Sequence, residues 1–301
     1  MKLTDAAFRD LIGLRATEPQ RIREAMASRI RRDSLTRVGM LFIVAADHTA
    51  RGMVGVGSDP LAMADRRVML ERLLVALEHP RVNGVLASPD VMEDLVVLGA
   101  LEDRVAVGTM NRGGLAGATW EIDDRFTAYD ADHLLASNLD GGKMLLRIDP
   151  RDPATAPTLE GCARAVGALN DRRIMAMVEP IPTTRDAEGR VVWDDDPVRL
   201  IQAVGASAAL GGSSAYTWLK IQATADIATV AAMTTQPLLL LGGAPGPDPS
   251  ATYAAWEKAL AEPTVRGLVV GRALLYPPDG NVEGAVGAAA ELVERAAATQ
   301  R

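Results

Sequence analysis

The sequence has little of what a disulfide framework or a metal centre needs. Among its 301 residues there is one cysteine, Cys162, and there are three histidines, His48, His79 and His133. A single cysteine excludes an intramolecular disulfide and a cysteine cage for a metal. A zinc site needs several histidines or carboxylates that converge on the ion, and His79 and His133 fall in predicted helical segments. We therefore expect neither a metal nor another cofactor.

Positive charge and long apolar runs are also scarce. The chain has 32 Lys and Arg against 39 Asp and Glu, a formal net charge of −7, which argues against a general nucleic-acid partner. No uninterrupted apolar run is long enough to span a bilayer, and the N-terminal residues mix charged with apolar side chains, unlike a secretory signal. These features predict a cytoplasmic protein without a nucleic-acid or membrane partner, and they leave a homo-oligomer open.

What the sequence does contain is a regular alternation of short apolar runs with longer segments of helical periodicity. The runs are residues 38–47, 82–88, 104–110, 143–149, 174–180, 216–222, 237–243 and 265–272. Near-continuous apolar strands that alternate with helices are typical of a parallel sheet covered on its faces. Eight such units in a chain of this length favour an α/β fold of the (β/α)8 TIM-barrel type, whose usual size is about 250 residues.

The same pattern predicts the domain organisation. We expect one domain over residues 1–301, with N-terminal helices over 1–36 and the barrel over 37–301. A doubly wound open sheet is the alternative fold, but no G-x-G-x-x-G follows the first strand, which counts against a dinucleotide-binding version. Long loops are expected after strands one, three and five, the last over residues 181–196. In a barrel these loops emerge at the C-terminal face, where active sites lie.

Ionisable residues interrupt several of the predicted strands. Asp47 and His48 end the first strand, Lys143 begins the fourth, Glu179 ends the fifth, and Lys220 lies in the apolar run "YTWLKIQ" of the sixth. A buried ammonium is costly unless it is paired or loses its proton. Simpler interpretations exist for three of these residues: Asp47 as a cap, Lys143 as an exposed residue at the bottom of its strand, and Glu179 as half of a surface ion pair.

Two lysines, a glutamate and an aspartate at one barrel mouth suit Schiff-base chemistry. An amine among apolar groups and near another cation has a lowered pKa, so that its neutral form can attack a ketone or an aldehyde. The resulting iminium accepts electrons when a carbon–carbon bond breaks, and a neighbouring carboxylate transfers the protons. The residues therefore predict a lyase, a metal-independent class I aldolase.

The motifs also resemble a known family. "AADH" on strand one, "KMLLRID" on strand four, "MVEPIP" on strand five and "WLKIQ" on strand six resemble the class I aldolases grouped with deoxyribose-phosphate aldolase and tagatose-bisphosphate aldolase, over residues 38–275. The resemblance implies that Lys220 is the Schiff-base lysine, Lys143 the auxiliary lysine, Glu179 the proton relay and Asp47 the acid of strand one. His48 is a candidate substrate contact.

A phosphate site is predicted at the ends of strands seven and eight. "LLLGGAP" and "VVGRALLY" resemble the phosphate-binding segments of that family. Independently, Gly242 and Gly243 would let backbone N–H groups approach a phosphate closely, and Gly271 would do the same beside Arg272. Phosphate sites in these barrels commonly form after strands seven and eight. The expected partner is a small-molecule phosphosugar.

The resemblance extends to a candidate reaction. The sequence is similar to actinobacterial aldolase-like proteins associated with inositol catabolism, which implies cleavage of 6-phospho-5-dehydro-2-deoxygluconate to dihydroxyacetone phosphate and malonate semialdehyde. Deoxyribose-phosphate aldolase and tagatose- or fructose-bisphosphate aldolase are alternatives of the same class. Because fold does not dictate function, a non-catalytic barrel that binds a phosphosugar is an alternative of another class. Lys220 argues against it, since a binding protein needs no neutral amine.

Overall fold

The strands form a closed barrel. The computed structural model describes residues 2–36, 38–112, 114–246 and 248–300. Its strands are β1 (Leu41–Ala46), β2 (Gly84–Ala87), β3 (Val105–Thr109), β4 (Gly141–Ile148), β5 (Met175–Arg185), β6 (Val191–Trp193), β7 (Thr217–Ile221), β8 (Leu238–Leu241) and β9 (Val265–Val270). All except β6 pair in parallel in the order β4-β3-β2-β1-β9-β8-β7-β5, and β4 pairs with β5 to close the ring. The predicted (β/α)8 barrel is confirmed.

Helices precede the barrel and surround it. They are α1 (Asp5–Thr17), α2 (Gln20–Ser28), α3 (Arg66–Glu78), α4 (Pro89–Val97), α5 (Ala131–Ala136), α6 (Thr155–Asp171), α7 (Pro197–Ala208), α8 (Ile227–Ala231), α9 (Ser250–Leu260), α10 (Arg272–Leu275) and α11 (Val282–Thr299). The first two form the expected N-terminal extension. None of the helices in the described ranges is both long and apolar enough to cross a membrane.

The alternation of side chains along each strand divides the core into two parts. On β1, Leu41, Ile43 and Ala45 belong to the cluster that fills the barrel lumen, whereas Phe42 and Val44 pack outward against the helices. Successive strand residues point to opposite faces of a sheet, and both faces are apolar here because helices cover the outer one. The lumen is therefore packed at this level, and an open site has to lie above it, beyond the carboxyl ends of the strands.

The position of Lys143 differs from one expectation. β4 begins at Gly141, two residues before the start predicted from the sequence. The register pairs Gly141 with Val107 and Lys143 with Thr109, the last residue of β3. Since barrel strands are staggered in this way, Lys143 lies level with the carboxyl end of β3 and its side chain is fully buried. The interpretation of Lys143 as an exposed residue at the bottom of its strand is therefore wrong.

The segment 181–196 was expected to be a loop, and most of it is instead a β-hairpin. β5 continues far beyond its predicted end, and β6 pairs with it antiparallel, with Trp193 opposite Thr183. The turn between them contains Gly189 at φ +78°, a conformation that glycine adopts without a Cβ penalty. The strand predicted from the sequence ends at Pro180, because proline has no N–H for the hydrogen bonds of a sheet and usually marks an edge strand or a strand end.

Arg29 fastens the N-terminal helices to the bottom of the barrel. It follows α2 directly, and its guanidinium donates to three backbone carbonyls, those of Leu101, Arg104 and Asn138. It also forms an ion pair of 2.8 Å with Asp140 in which both side chains are buried. These partners precede β3 and β4, so the contact lies at the amino-terminal end of the strands.

Candidate active site

Strand periodicity brings the four predicted ionisable residues together. Asp47 lies two residues after the lumen-facing Ala45, and Lys143, Glu179 and Lys220 lie on the lumen side of β4, β5 and β7. Each of the four residues is at most 6% exposed. Asp47 and Lys220 stand at the carboxyl ends of β1 and β7, and the stagger of the strands places Lys143 level with the carboxyl end of β3. The four side chains therefore meet above the apolar lumen, where the active sites of these barrels lie.

Glu179 is the centre of this cluster. Its Oε1 atom lies 2.7 Å from the Nζ atom of Lys220, and its Oε2 atom contacts the Nζ atom of Lys143. The ammonium of Lys143 also reaches Asp47, with 3.5 Å between Nζ and Oδ2. One carboxylate thus pairs with two amines, and these ion-pair contacts provide a route for protons between them.

Arg112 completes the cluster, and the sequence interpretation missed it. It follows β3 in the loop and donates from Nη2 to Asp47 Oδ2. The preceding Asn111 fixes this part of the loop, since its side chain exchanges two hydrogen bonds of 2.6 Å with the backbone of Leu145. The position of Arg112 in the sequence could have pointed to it. Arg112 comes three residues after the end of β3, and the other charged residues of the site also lie near strand ends.

Burial and neighbouring charges shift the pKa values of the central pair. Burial raises the pKa of Glu179, but the ammonium groups of Lys143 and Lys220 outweigh it and lower that pKa to about 2. Burial lowers the pKa of Lys143, and the guanidinium of Arg112 lowers it further, to about 8. Glu179 is therefore ionised at neutral pH, and Lys143 can lose its proton at a mildly alkaline pH.

The pKa values of Asp47 and His48 are both lowered, for different reasons. Burial raises the pKa of Asp47, but Arg112 and Lys143 outweigh it, so the pKa lies well below its usual range. Burial lowers the pKa of His48 to about 3; the nearby Asp47 carboxylate opposes this shift, and the guanidinium groups of Arg272 and Arg112 add to it. Asp47 is consequently an anion and His48 a neutral imidazole that can donate or accept a hydrogen bond.

A cavity of about 100 Å³ opens beside the cluster. Its walls include the predicted phosphate-binding residues and candidate contacts, together with side chains that the sequence did not single out. They are Ala45, His48, Arg51, Met53, Arg112, Leu145, Glu179, Ile181, Trp193, Lys220, Leu241, Gly242, Gly243, Val269, Gly271 and Arg272. Asp47 and Lys143 lie behind this wall, so the amine that borders the cavity is that of Lys220.

The ends of β8 and β9 leave room for an anion. Gly243 has φ +65°, and a Cβ atom on Gly271 would come within 2.4 Å of the carbonyl oxygen of Ala45, so both positions favour glycine. Arg272 is partly buried, and its Nε atom has no hydrogen-bond partner among the described residues. An arginine N–H group beside the backbone of glycine residues is suited to binding phosphate. The phosphate assignment stays a prediction.

The described residues provide neither a metal-binding cluster nor a reactive cysteine. Within the described ranges, no group of three or more His, Cys, Asp or Glu side chains is arranged to hold a metal ion. Cys162 is fully buried on α6, as expected of a core residue, and burial raises the pKa of its thiol to about 12. A thiol of that kind is a poor nucleophile.

Fold and site together define a class: a (β/α)8 barrel with a lysine–glutamate–lysine cluster beside a small cavity at its carboxyl-terminal face. The family model described as Cgl0159-like matches residues 39–290, and the chain belongs to the Cgl0159-like family. The crystal structure of Cgl0159 from Corynebacterium glutamicum (Brevibacterium flavum) has 46% sequence identity to this chain. It superposes with a TM-score of 0.94 and covers 97% of this chain and 98% of its own.

More distant structures share the fold. A Schiff base forming fructose-1,6-bisphosphate aldolase superposes with a TM-score of 0.65 at 18% identity, over 90% of this chain and 99% of that one. The fructose-bisphosphate aldolase from Slackia heliotrinireducens gives a TM-score of 0.63 at 16% identity, over 87% and 85% of the two chains. At these identities the likeness extends to the (β/α)8 fold alone. A search of curated protein sequences finds no significant match.

Proposed function

We propose that this protein is a metal-independent class I aldolase, which cleaves a phosphorylated sugar or sugar acid through a Schiff base on Lys220. The observation that carries the proposal is the place of the Lys220 amine: it borders the cavity and lies 2.7 Å from a carboxylate oxygen of Glu179. A nucleophilic amine and a proton acceptor within hydrogen-bond reach are what imine formation requires.

The reaction begins when the neutral amine of Lys220 attacks the carbonyl carbon of the substrate. The carbinolamine forms after a proton leaves the nitrogen, and its hydroxyl departs as water when a proton is returned to it. Glu179 is within reach for both transfers. The iminium then accepts the electron pair of the breaking carbon–carbon bond, while the hydroxyl of the departing fragment loses its proton and becomes an aldehyde. Protonation of the resulting enamine and hydrolysis release the second product and restore the amine.

Lys143 has a supporting role in this mechanism. Its amine is enclosed, and it contacts the second oxygen of Glu179, so it exchanges protons with Glu179 without touching the substrate. Because its pKa is lowered to about 8, it can take up a proton from the relay and return it. Asp47, held by Arg112 and Lys143, keeps this second amine in place.

The substrate's phosphate is assigned to the wall formed by Gly242, Gly243, Gly271 and Arg272. The unpartnered Nε of Arg272 and the small cavity support this assignment. The aldolases that share the fold are named for fructose bisphosphate. Three candidate substrates are to be compared on this basis: 6-phospho-5-dehydro-2-deoxygluconate, fructose bisphosphate and tagatose bisphosphate.

The test is covalent trapping. The protein is incubated with dihydroxyacetone phosphate and, separately, with each candidate substrate, then reduced with borohydride and mapped by mass spectrometry. We expect a reduced adduct on Lys220, and we expect cleavage to persist in EDTA because the iminium takes the electrons. An adduct on Lys143 would reverse the roles of the two lysines. Ligand binding without an adduct or cleavage would favour a non-catalytic phosphosugar-binding barrel.

A further inference from the structure

We propose that Arg112 receives a second anionic group of the substrate, a carboxylate or a phosphate, at the end remote from the phosphate assigned to Arg272. This inference rests on the proposed function, because that proposal assigns the substrate's first phosphate to the wall that includes Arg272. It narrows the substrate class: a sugar derivative with one anionic group at each end is favoured over one with a single phosphate.

The first argument is the incomplete hydrogen bonding of Arg112. Its side chain is 6% exposed and borders the cavity. Nη2 donates to Asp47, whereas the buried Nε has no hydrogen-bond partner among the residues that the structure describes. A buried donor that lacks a partner is unfavourable, and guanidinium groups bind carboxylate and phosphate oxygens through paired N–H groups. A ligand anion in the cavity would satisfy this donor.

The second argument is the position of Arg112 in the ring of strands. Arg112 follows β3, and Gly242 and Gly243 follow β8. In the order of the barrel, β8 is four strands from β3 in either direction, so the two lie on opposite sides. Lys220 on β7 and Glu179 on β5 lie on the arc between them. A substrate anchored at both sides would therefore pass over the amine that attacks it.

The third argument is charge. The cluster and the cavity wall contain more cations than anions even when the amine of Lys220 is neutral, as the proposed mechanism requires: the cations are Arg51, Arg112, Lys143 and Arg272, and the anions are Asp47 and Glu179. Buried cations in excess favour anionic ligands.

Another arginine at the mouth makes a useful contrast. The Nη2 atom of Arg51 donates to Glu121 Oε1 over 2.8 Å, an atom that also accepts from Arg147, and its Nε donates to the carbonyl of Gly114. Arg112 likewise shares a carboxylate, Asp47, with the ammonium of Lys143, but its Nε has no hydrogen-bond partner among the described residues. Of the two guanidinium groups, Arg112 has the larger remaining capacity for an anion.

The test uses ligands without a carbonyl, so that no Schiff base can form and binding is measured apart from chemistry. Sorbitol 6-phosphate carries one anionic group, 6-phosphogluconate adds a carboxylate at the other end, and sorbitol 1,6-bisphosphate adds a phosphate there. Calorimetric Kd values are compared for the wild-type protein and for Arg112→Met, Arg112→Lys and Arg272→Met. Arg112→Lys keeps the cation, and Arg272→Met is the matched loss of an arginine at the opposite side.

We expect the wild-type protein to bind at least one of the doubly charged ligands about 10- to 100-fold more tightly than sorbitol 6-phosphate, the range for a hydrogen bond to a charged group. The doubly charged ligand that binds more tightly shows whether the second anionic group of the substrate is a carboxylate or a phosphate. Arg112→Met should remove this preference and Arg112→Lys should keep part of it. Arg272→Met should weaken all three ligands and leave the preference in place.

Three results would overturn the inference: no preference in the wild-type protein, a preference that survives in Arg112→Met, or no binding of either doubly charged ligand. None of them depends on catalysis. Failure of the aldolase proposal is seen separately, as the absence of a borohydride adduct with dihydroxyacetone phosphate. A protein that makes the adduct but has no preference would keep the proposed function and lose the second anion site.

Discussion

The barrel has a buried charge cluster at each end, and the two are built differently. At the amino-terminal end, Arg29 pairs with Asp140 and donates its remaining Nη hydrogens to backbone carbonyls. Asp140 in turn accepts from Arg31 and from the backbone N–H of Ala106. At the carboxyl-terminal end, charged side chains contact one another around Glu179 and border an open cavity.

The difference separates charges that hold the fold together from charges that are available for chemistry. Both oxygens of the lower carboxylate have hydrogen bonds, and in that closed cluster only Arg29 Nε lacks a partner among the described residues. In the upper cluster Asp47 Oδ1 lacks a partner among those residues, and so do the Nε atoms of Arg112 and Arg272, two residues that border the cavity. Unmet hydrogen-bonding capacity in a buried site is costly for stability, and it is expected where a ligand supplies the missing partners. Residues at the bottom of such barrels serve stability, and those at the top serve function.

The largest expected effect comes from the nucleophile in the upper cluster. Lys220→Arg keeps a cation beside Glu179 but cannot form an iminium, and Lys220→Met removes the nitrogen altogether. Both should lower turnover by more than about 10⁴-fold, as the loss of a covalent nucleophile does elsewhere. Cleavage is measured with the substrate found by trapping. Lys258→Met, which changes a lysine on the outer surface helix α9, is the control and should keep full activity.

A smaller loss is expected at the carboxylate that bridges the lysines. Glu179→Gln keeps the shape of the side chain but cannot accept a proton, so turnover should fall by about 10²–10⁴-fold. The adduct on Lys220 should still be trapped, more slowly, because the amine remains. The measurements are single-turnover rates and the yield of reduced adduct. A variant with wild-type turnover would remove Glu179 from the relay.

A substitution in the lower cluster should reduce stability and leave turnover unchanged. Arg29→Met removes one donor from each of three backbone carbonyls and weakens the pairing of Asp140. The free energy of unfolding should fall by about 3 kcal/mol, the lower end of the range for a broken buried ion pair. The lower end applies because Arg31 still pairs with Asp140. Denaturant titration measures the loss, and kcat of the folded fraction should be unchanged. A lowered kcat at unchanged stability would contradict the division between the two ends.

The sequence predicted the fold and most of the upper cluster but not the lower one, and its failures have physical causes. The eight strands and the residues Asp47, Glu179 and Lys220 followed from apolar runs interrupted by charge, because side-chain alternation then fixes which way each one points. The burial of Lys143 depended on the stagger between β3 and β4, which one strand's sequence does not contain. Arg112 lies in a loop, and loop conformation follows from contacts such as those of Asn111 that no local pattern encodes.

The smallest expected effect is a pH dependence specific to the upper cluster. Lys143 is protonated below its pKa of about 8 and neutral above it, and the proposed relay through Glu179 requires it to accept a proton. Log kcat/KM should therefore rise by about one per pH unit below pH 8 and level off above it, with an apparent pKa that belongs to the coupled lysines and carboxylate together. In Lys143→Met this transition should disappear or move, while in Lys258→Met and in Arg29→Met, a change at the other end of the barrel, it should stay. A rate that falls as pH rises through 8 would mean that Lys143 acts as a proton donor, and the direction of transfer through Glu179 would then be reversed.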